Sequence, residues 1–254
     1  MDTDIVEQNH RYWDAIAPQR RGEPIGFFRG GGSALNDHEW SVIGDPHGLR
    51  VLQLAAGVGD ESISLARRGA EVTAIDLAEA HLQTGREKAA ALGAAVDYQQ
   101  QDMMALPAEL TGFDRVLISY GGLCWIPDLD RWAADLAGRL LPDGRVVISE
   151  HHPLWEVLSV AGDNRLAVSG DYFGFGRHGY ADRLKAPQVT WRSEDPLPEH
   201  TSFVWGIGSV VTALLAAGLR IIALEEFADP EMYPGLGPTA DLIPSSYLLC
   251  AQRS

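Results

Sequence analysis

Two glycines, Gly57 and Gly59, close the apolar, β-prone run Val51-Leu52-Gln53-Leu54-Ala55-Ala56. Glycines spaced by two at the end of such a run make a turn whose backbone can come close to a ligand. A helical pattern over Glu61 to Arg68 follows, and a second β-prone run, Glu71 to Ile75, ends in Asp76. That acid is placed to accept both hydroxyls of a ribose. Strand, glycine turn, helix, strand, acid is the layout of a nucleotide-binding βαβ unit. The same residues also have a ligand-free reading, as a tight turn and a helix N-terminal acid ahead of Glu79. A second chemistry-bearing group is Glu150-His151-His152-Pro153. A histidine titrates near neutral pH and can take a proton from a reacting group. Here it equally reads as a strand-end histidine that only hydrogen-bonds structure.

The glycine signal is incomplete as a dinucleotide fingerprint. Ser62 stands where the third glycine would allow close helix–strand packing beside a pyrophosphate. The residues alone therefore leave the cofactor open, and a nicotinamide-dependent oxidoreductase remains an alternative, although no Tyr-x-x-x-Lys pair supports it.

The elements that must position these residues read as an α/β fold. Strands are expected at 50–55, 71–75, 95–99, 114–119 and 144–149, with helices at 60–68, 78–92 and 128–140. Strands alternating with helices predict a doubly wound, mostly parallel sheet covered on both faces. Leu141-Pro142-Asp143-Gly144 reads as the turn that starts the fifth strand. A helix over 4–17 and a glycine-rich loop over 21–36 precede this core. Residues 208–217 read as a helix closed by Gly218. Strands 219–227 and 246–252 have no helix between them and should pair as an antiparallel hairpin. The chain divides into an N-terminal helical cap (1–46), a ligand-binding core (47–150), an insertion (151–205) and a terminal helix and hairpin (206–254), all within one domain.

Composition narrows the function. The 254 residues carry a net charge of −15, and the twenty Lys and Arg form no run. Nucleic-acid binding is not expected, because phosphate neutralisation needs a basic face. No apolar run approaches the roughly 18–20 residues that span a bilayer, and the acidic N-terminus is no secretory signal. Cys124 and Cys250 have no metal-ligand spacing and read as two reduced thiols of a cytoplasmic protein. No metal site is expected.

Taken in order, the motifs resemble those of the class I S-adenosylmethionine-dependent methyltransferases, small-molecule type. Val51 to Gly59 looks like the family's first motif and Ile75-Asp76 like its second. Gln101-Asp102-Met103 follows the third strand. Phe113 to Ser119 looks like the fourth-strand motif, and Leu140 to Arg145 like the turn before the fifth. The resemblance implies a seven-stranded sheet of order 3-2-1-4-5-7-6 with an antiparallel last strand, and S-adenosyl-L-methionine as cofactor. It implies that Gly57 and Gly59 approach the cofactor through backbone and that Asp76 binds the ribose. Asp102 would accept from the adenine amino group, with Leu77 and Met103 flanking the ring; in its ligand-free reading Asp102 caps a turn. Ser119 and Tyr120 end the fourth strand, at the carboxyl edge where such sheets hold ligands. Tyr12-Trp13-Asp14 is similar to an N-terminal Tyr-Trp-Asp helix that closes over the cofactor in one group of relatives.

Two positions depart from the family pattern: Gln53 stands where an acid is common, and Ala55 where a glycine is. His152 matches a Glu-x-His-Pro pattern, which makes His152 and His151 the candidate bases, with Glu150 to orient an imidazole. Tyr120 to Pro127 supplies two glycines, Gly121 and Gly122, and a candidate pocket wall, Trp125. The insertion, rich in aromatics such as Trp155, Tyr172, Phe173, Phe175, Tyr180, Trp191, Phe203 and Trp205, is expected to act as an acceptor lid, with Asp171 and His178 as further candidate bases. The acceptor is expected to be a small, partly apolar or aromatic molecule methylated on O or N, or on C. A cofactor-binding protein of this fold without methyl transfer is the remaining alternative. Nothing in the sequence speaks to oligomeric state.

Overall fold

The computed structural model describes residues 3–162, 164–173 and 198–254. Its strands are β1 (Arg50–Leu54), β2 (Glu71–Asp76), β3 (Val96–Gln100), β4 (Phe113–Ile118) and β5 (Leu140–His151). They are followed by β6 (Leu158–Ala161), β7 (Arg165–Val168), β8 (Leu219–Phe227) and β9 (Ser246–Arg253). Seven of them form one sheet of order β3-β2-β1-β4-β5-β9-β8. β1 to β5 are parallel, and β9 runs antiparallel between β5 and β8. This is the expected order, with β8 and β9 as sixth and seventh strands.

The central strands are largely apolar on both faces because both faces are covered. Side chains alternate across the sheet. Leu52, Leu54, Val116, Ile118, Val146 and Ile148 face one core with Trp132, Leu136, Val210 and Leu214. Val51, Leu117 and Val147 face the other with Val42, Ile43 and Leu65. The covering helices are α1 (Thr3–Ile16), α2 (Ile25–Arg29), α3 (Asp37–Ile43), α4 (Asp60–Ala66), α5 (Glu79–Leu92), α6 (Leu129–Arg139), α7 (Pro153–Val157) and α8 (Ile207–Ala216). Local chemistry sets their ends. Asn36 and Glu39 form a reciprocal capping box on α3. The Asp128 side chain accepts from Arg131 N–H at the start of α6. Gly93 takes the left-handed conformation that closes α5.

Three elements differ from expectation. The fifth strand begins at Leu140, and the Pro142-Asp143-Gly144 turn lies inside it as a bulge. Phe113 pairs with Leu140 and Arg115 with Arg145, so the residues between them loop out, with Asp143 at φ +62°. The glycine-rich stretch contains the short helix α2, which buries Phe28. Within the insertion, α7 and the β6–β7 hairpin occupy part of what reads as irregular sequence.

Candidate active site

The ends of β1, β2 and β4, with the loops after them, surround a cavity of about 390 Å³. This is the carboxyl edge of the parallel sheet, where open α/β folds bind ligands. The Asp76 carboxylate organises its floor: one oxygen accepts from Gly57 N–H (2.7 Å), the other from Ala78 N–H (2.9 Å). The acid thus ties the glycine turn to the start of α5.

The two glycines serve different ends. Gly57 has φ +55°, and a Cβ there would meet nothing within 4 Å, so its backbone faces open cavity. Gly59 has φ +71°, and a Cβ would lie 2.7 Å from the Tyr98 ring. Gly59 is therefore small for packing and does not line the cavity. Gly85, in the middle of α5, serves the same ring: its Cβ would fall 2.6 Å from Val58 O and 2.7 Å from Tyr98. Ala55 sits at φ +48° although it is not glycine, a conformation that costs an L-residue about 1–2 kcal/mol.

Asp102, Leu77, Met103, Ser119 and Tyr120 all line the cavity, with Gly57 and Asp76. Asp102 also closes a turn, since its carboxylate accepts from Met104 N–H (2.8 Å). Tyr12 does not line it. Its ring is buried on His200, 4.2 Å between centroids, and the next residue, Trp13, faces the cavity instead. Trp13 packs edge-on against Trp125 (5.2 Å) and His81 (5.6 Å). Gly121 and Trp125 face the same space, whereas a Cβ on Gly122 would strike Ile118 at 2.4 Å, so that glycine is a packing requirement.

The two histidines separate. His152 is 4% exposed and caps α7. Leu154 N–H donates to its Nδ1 (3.1 Å), so the proton is on Nε2, which donates to Glu226 (2.8 Å). Both ring nitrogens are committed to structure, against the expectation that His152 serves as base. His151 lies behind Tyr120, 5.6 Å between ring centroids, and against Trp155 (4.5 Å). It lines a second cavity of about 20 Å³ beside Glu150 and Glu156. Burial pushes its pKa below the ordinary value, only partly opposed by Glu150, which keeps the imidazole neutral at pH 7. Burial beside Glu150 pushes the Glu156 carboxyl up to about 8. Glu150 does not orient the imidazole: Nδ1 of His151 is 3.7 Å away. Its oxygens accept instead from Gly121, Leu123 and His151 N–H at 2.6–2.8 Å, fixing the loop after β4.

The insertion's described aromatics do not line the main cavity, and Phe173 among them is largely exposed. Phe203 and Trp205 join the sheet core, and Trp205 Nε1 donates to Ile126 O (2.9 Å). Asp171 closes a turn onto Phe173 N–H. Phe175, His178, Tyr180 and Trp191 lie outside the described residues. Polar cavity residues that escape the motif reading include Asn9, Arg20, Glu61 and His81. Of these only Glu61 left a trace, through the missing acid at Gln53. Cys124 and Cys250 are both free thiols.

Residues 51–144 match the family model described as "Methyltransferase domain". A ubiquinone biosynthesis O-methyltransferase from Xanthomonas axonopodis pv. citri (strain 306) is 31% identical over 185 residues, 71% of this chain and 72% of the relative. The chain belongs to the class I S-adenosylmethionine-dependent methyltransferases. A demethylmenaquinone methyltransferase from Clavibacter sepedonicus is 37% identical over 123 residues, 46% of this methyltransferase and 49% of the relative. The fold matches an S-adenosylmethionine-dependent methyltransferase from Mesorhizobium loti with a TM-score of 0.65 at 24% identity, over 85% of this chain and 96% of that one. It also matches magnesium protoporphyrin IX methyltransferase from Synechocystis PCC 6803 with bound SAH, TM-score 0.60 at 17% identity, over 99% and 100%.

S-adenosylmethionine is the methyl donor, and the cavity suits it. The open backbone at Gly57, the carboxylates of Asp76 and Asp102 and an apolar flank at Leu77 and Met103 are the groups a nucleoside needs. The nicotinamide and non-catalytic alternatives gain no support. Among the described residues no helix is long and apolar enough to cross a membrane.

Proposed function

We propose that this methyltransferase methylates a hydroxyl on a small aromatic, quinol-like molecule in the cytoplasm, independently of nucleic acid. The observation that carries this reading is the similarity to an O-methyltransferase of ubiquinone biosynthesis across 71% of the chain. The site's chemistry supports it. Trp13, Trp125, Pro127 and Met104 offer an apolar wall beside the polar floor, which suits an aromatic acceptor.

In this reading Gly57 admits the donor, Asp76 holds its ribose, and Asp102 with Leu77 and Met103 holds its adenine. Ser119 and Tyr120 border its reactive end. When bound, the donor supplies an electrophilic methyl on a positively charged sulfur. The protein's part is to align the acceptor, exclude water and take the hydroxyl proton. His151 is the candidate for that last task, supported by its neutral imidazole and its packing against Tyr120, which lines the cavity. Its Nδ1 is 3.7 Å from Glu150, close enough for that carboxylate to stabilise the imidazolium.

The test is transfer of labelled methyl to a panel of catechols, quinols, amines and unsubstituted quinones. Labelled phenolic ether from the hydroxylated rings is the expected product. Labelling confined to amines, or to ring carbon, would replace this acceptor class while leaving the donor assignment intact.

A further inference from the structure

Gln53 of β1 sits in the middle of the sheet, fully buried. Its amide is saturated on both sides. The carbonyl accepts from Ser62 Oγ, and the amino group donates to Glu61 Oε2 (3.1 Å) and to Ser119 Oγ (3.4 Å). The amide's donor side therefore points to the end of β1 and holds the carboxylate of Glu61 at the cavity wall.

The Glu61 carboxylate is held by the Gln53 amide and not by a salt bridge. Its charged neighbours are Asp60 and Glu39, both acids. The adjacent Asp60 is already paired with Lys88 and accepts from Glu23 N–H, which leaves it committed to the N-terminal loop. Burial and these acids raise the Glu61 pKa. A cation arriving in the cavity would relieve that cost.

The cavity's polar groups also sort by position. Asp76 and Asp102 follow β2 and β3, on one side of β1. Glu61 in the first turn of α4 and Ser119 after β4 converge on the Gln53 amide, away from them. With the nucleoside at the two aspartates, the region of the Gln53 amide receives the amino-acid end of the donor, which carries an α-ammonium group. We propose that Glu61, held by Gln53, binds this α-ammonium. The acid is supplied from the first turn of α4, and Gln53 of β1 is its support. The inference rests on the methyl-donor assignment.

Calorimetric titration with two probes tests it. S-adenosylhomocysteine carries the amino-acid end; 5′-methylthioadenosine has the same adenine, ribose and thioether without it. Glu61→Gln is expected to weaken S-adenosylhomocysteine by about 30-fold and to change 5′-methylthioadenosine by less than about twofold. The exchange Gln53→Glu with Glu61→Gln should restore most of the lost affinity. The substitution to Gln is isosteric and removes a buried charge, so the thermal midpoint without ligand should not fall. S-adenosylhomocysteine binding unchanged in Glu61→Gln overturns the proposal. So does equal loss of both probes, which would mark a structural role. If the unsubstituted protein bound neither probe, the donor assignment itself would fail.

Discussion

The Asn9 side chain and the Thr201 backbone form a reciprocal pair: Asn9 Nδ2 donates to Thr201 O, and Thr201 N–H donates to Asn9 Oδ1, both at 2.8 Å. The pair joins α1 to the returning end of the insertion, and Asn9 also faces the main cavity. Two segments far apart in sequence are thus clipped together over the ligand space.

Asn9→Ala removes both bonds and leaves two backbone groups in need of partners, a loss of about 1–3 kcal/mol. The cap should then open more often. Stopped-flow release of S-adenosylhomocysteine is expected to quicken by about tenfold, in line with a loss of that size. An unchanged release rate would mean that α1 does not gate the cavity.

The two histidines should separate in kinetics. His151→Gln is expected to lower kcat on a hydroxyl acceptor by about 10²–10³-fold with little change in KM. In the unsubstituted enzyme kcat should rise with pH through a midpoint below 6.5 and then level, because burial depresses the His151 pKa and the base works when unprotonated. His151→Gln should lose that inflection. His152→Ala should instead lower stability by about 1–2 kcal/mol through loss of the α7 cap and the Glu226 contact. If His152→Ala alone abolished the inflection, the assignment would have to be reversed.

Glu156 predicts a pH dependence of stability. Its folded pKa of about 8 lies above the ordinary 4.5, so the folded protein holds this proton more tightly than the unfolded chain. The associated stability is fully present below about 4.5 and is lost as pH rises through about 8. Glu156→Gln should flatten that decline in urea-unfolding free energies measured from pH 5 to 9. Parallel curves for the two proteins would show that Glu156 ionises normally.

Much of the cofactor side was legible because it is local. Gly57 and Asp76 lie within one βαβ unit, and the strand pattern fixes where each must stand. Even there, spacing could not tell that Gly57 faces open space while Gly59 makes room for Tyr98, since that depends on which side of the turn β3 packs. The choice between His151 and His152 was harder. It turns on Glu226 of β8, far away in sequence, occupying the ring nitrogen of one of them. Asn9 left no sequence signal at all, because its partner is a backbone group. The aromatic insertion was ambiguous in a physical way: aromatic density is equally the mark of a lid and of a core, and of its described aromatics Phe203 and Trp205 belong to the core.

Ala55 holds a left-handed conformation with a Cβ that disfavours it. Ala55→Gly should relieve about 1 kcal/mol of strain, net of the added freedom of the unfolded chain, and raise Tm by about 2–4 °C. A lower Tm in a calorimetric scan would show that the methyl contributes packing worth more than the strain.

Tyr98 carries a consequence for how related sequences can vary. Its ring fills the space left by Gly59 and Gly85, with the Val58 carbonyl beside it. Positions 59, 85 and 98 therefore share one fixed volume, and the two glycines set its limit. A relative with a smaller residue in place of Tyr98 gains no room for alanine at 85, because the Val58 carbonyl stays 2.6 Å from a Cβ there. It gains none at 59 either, where φ +71° keeps glycine whatever the space.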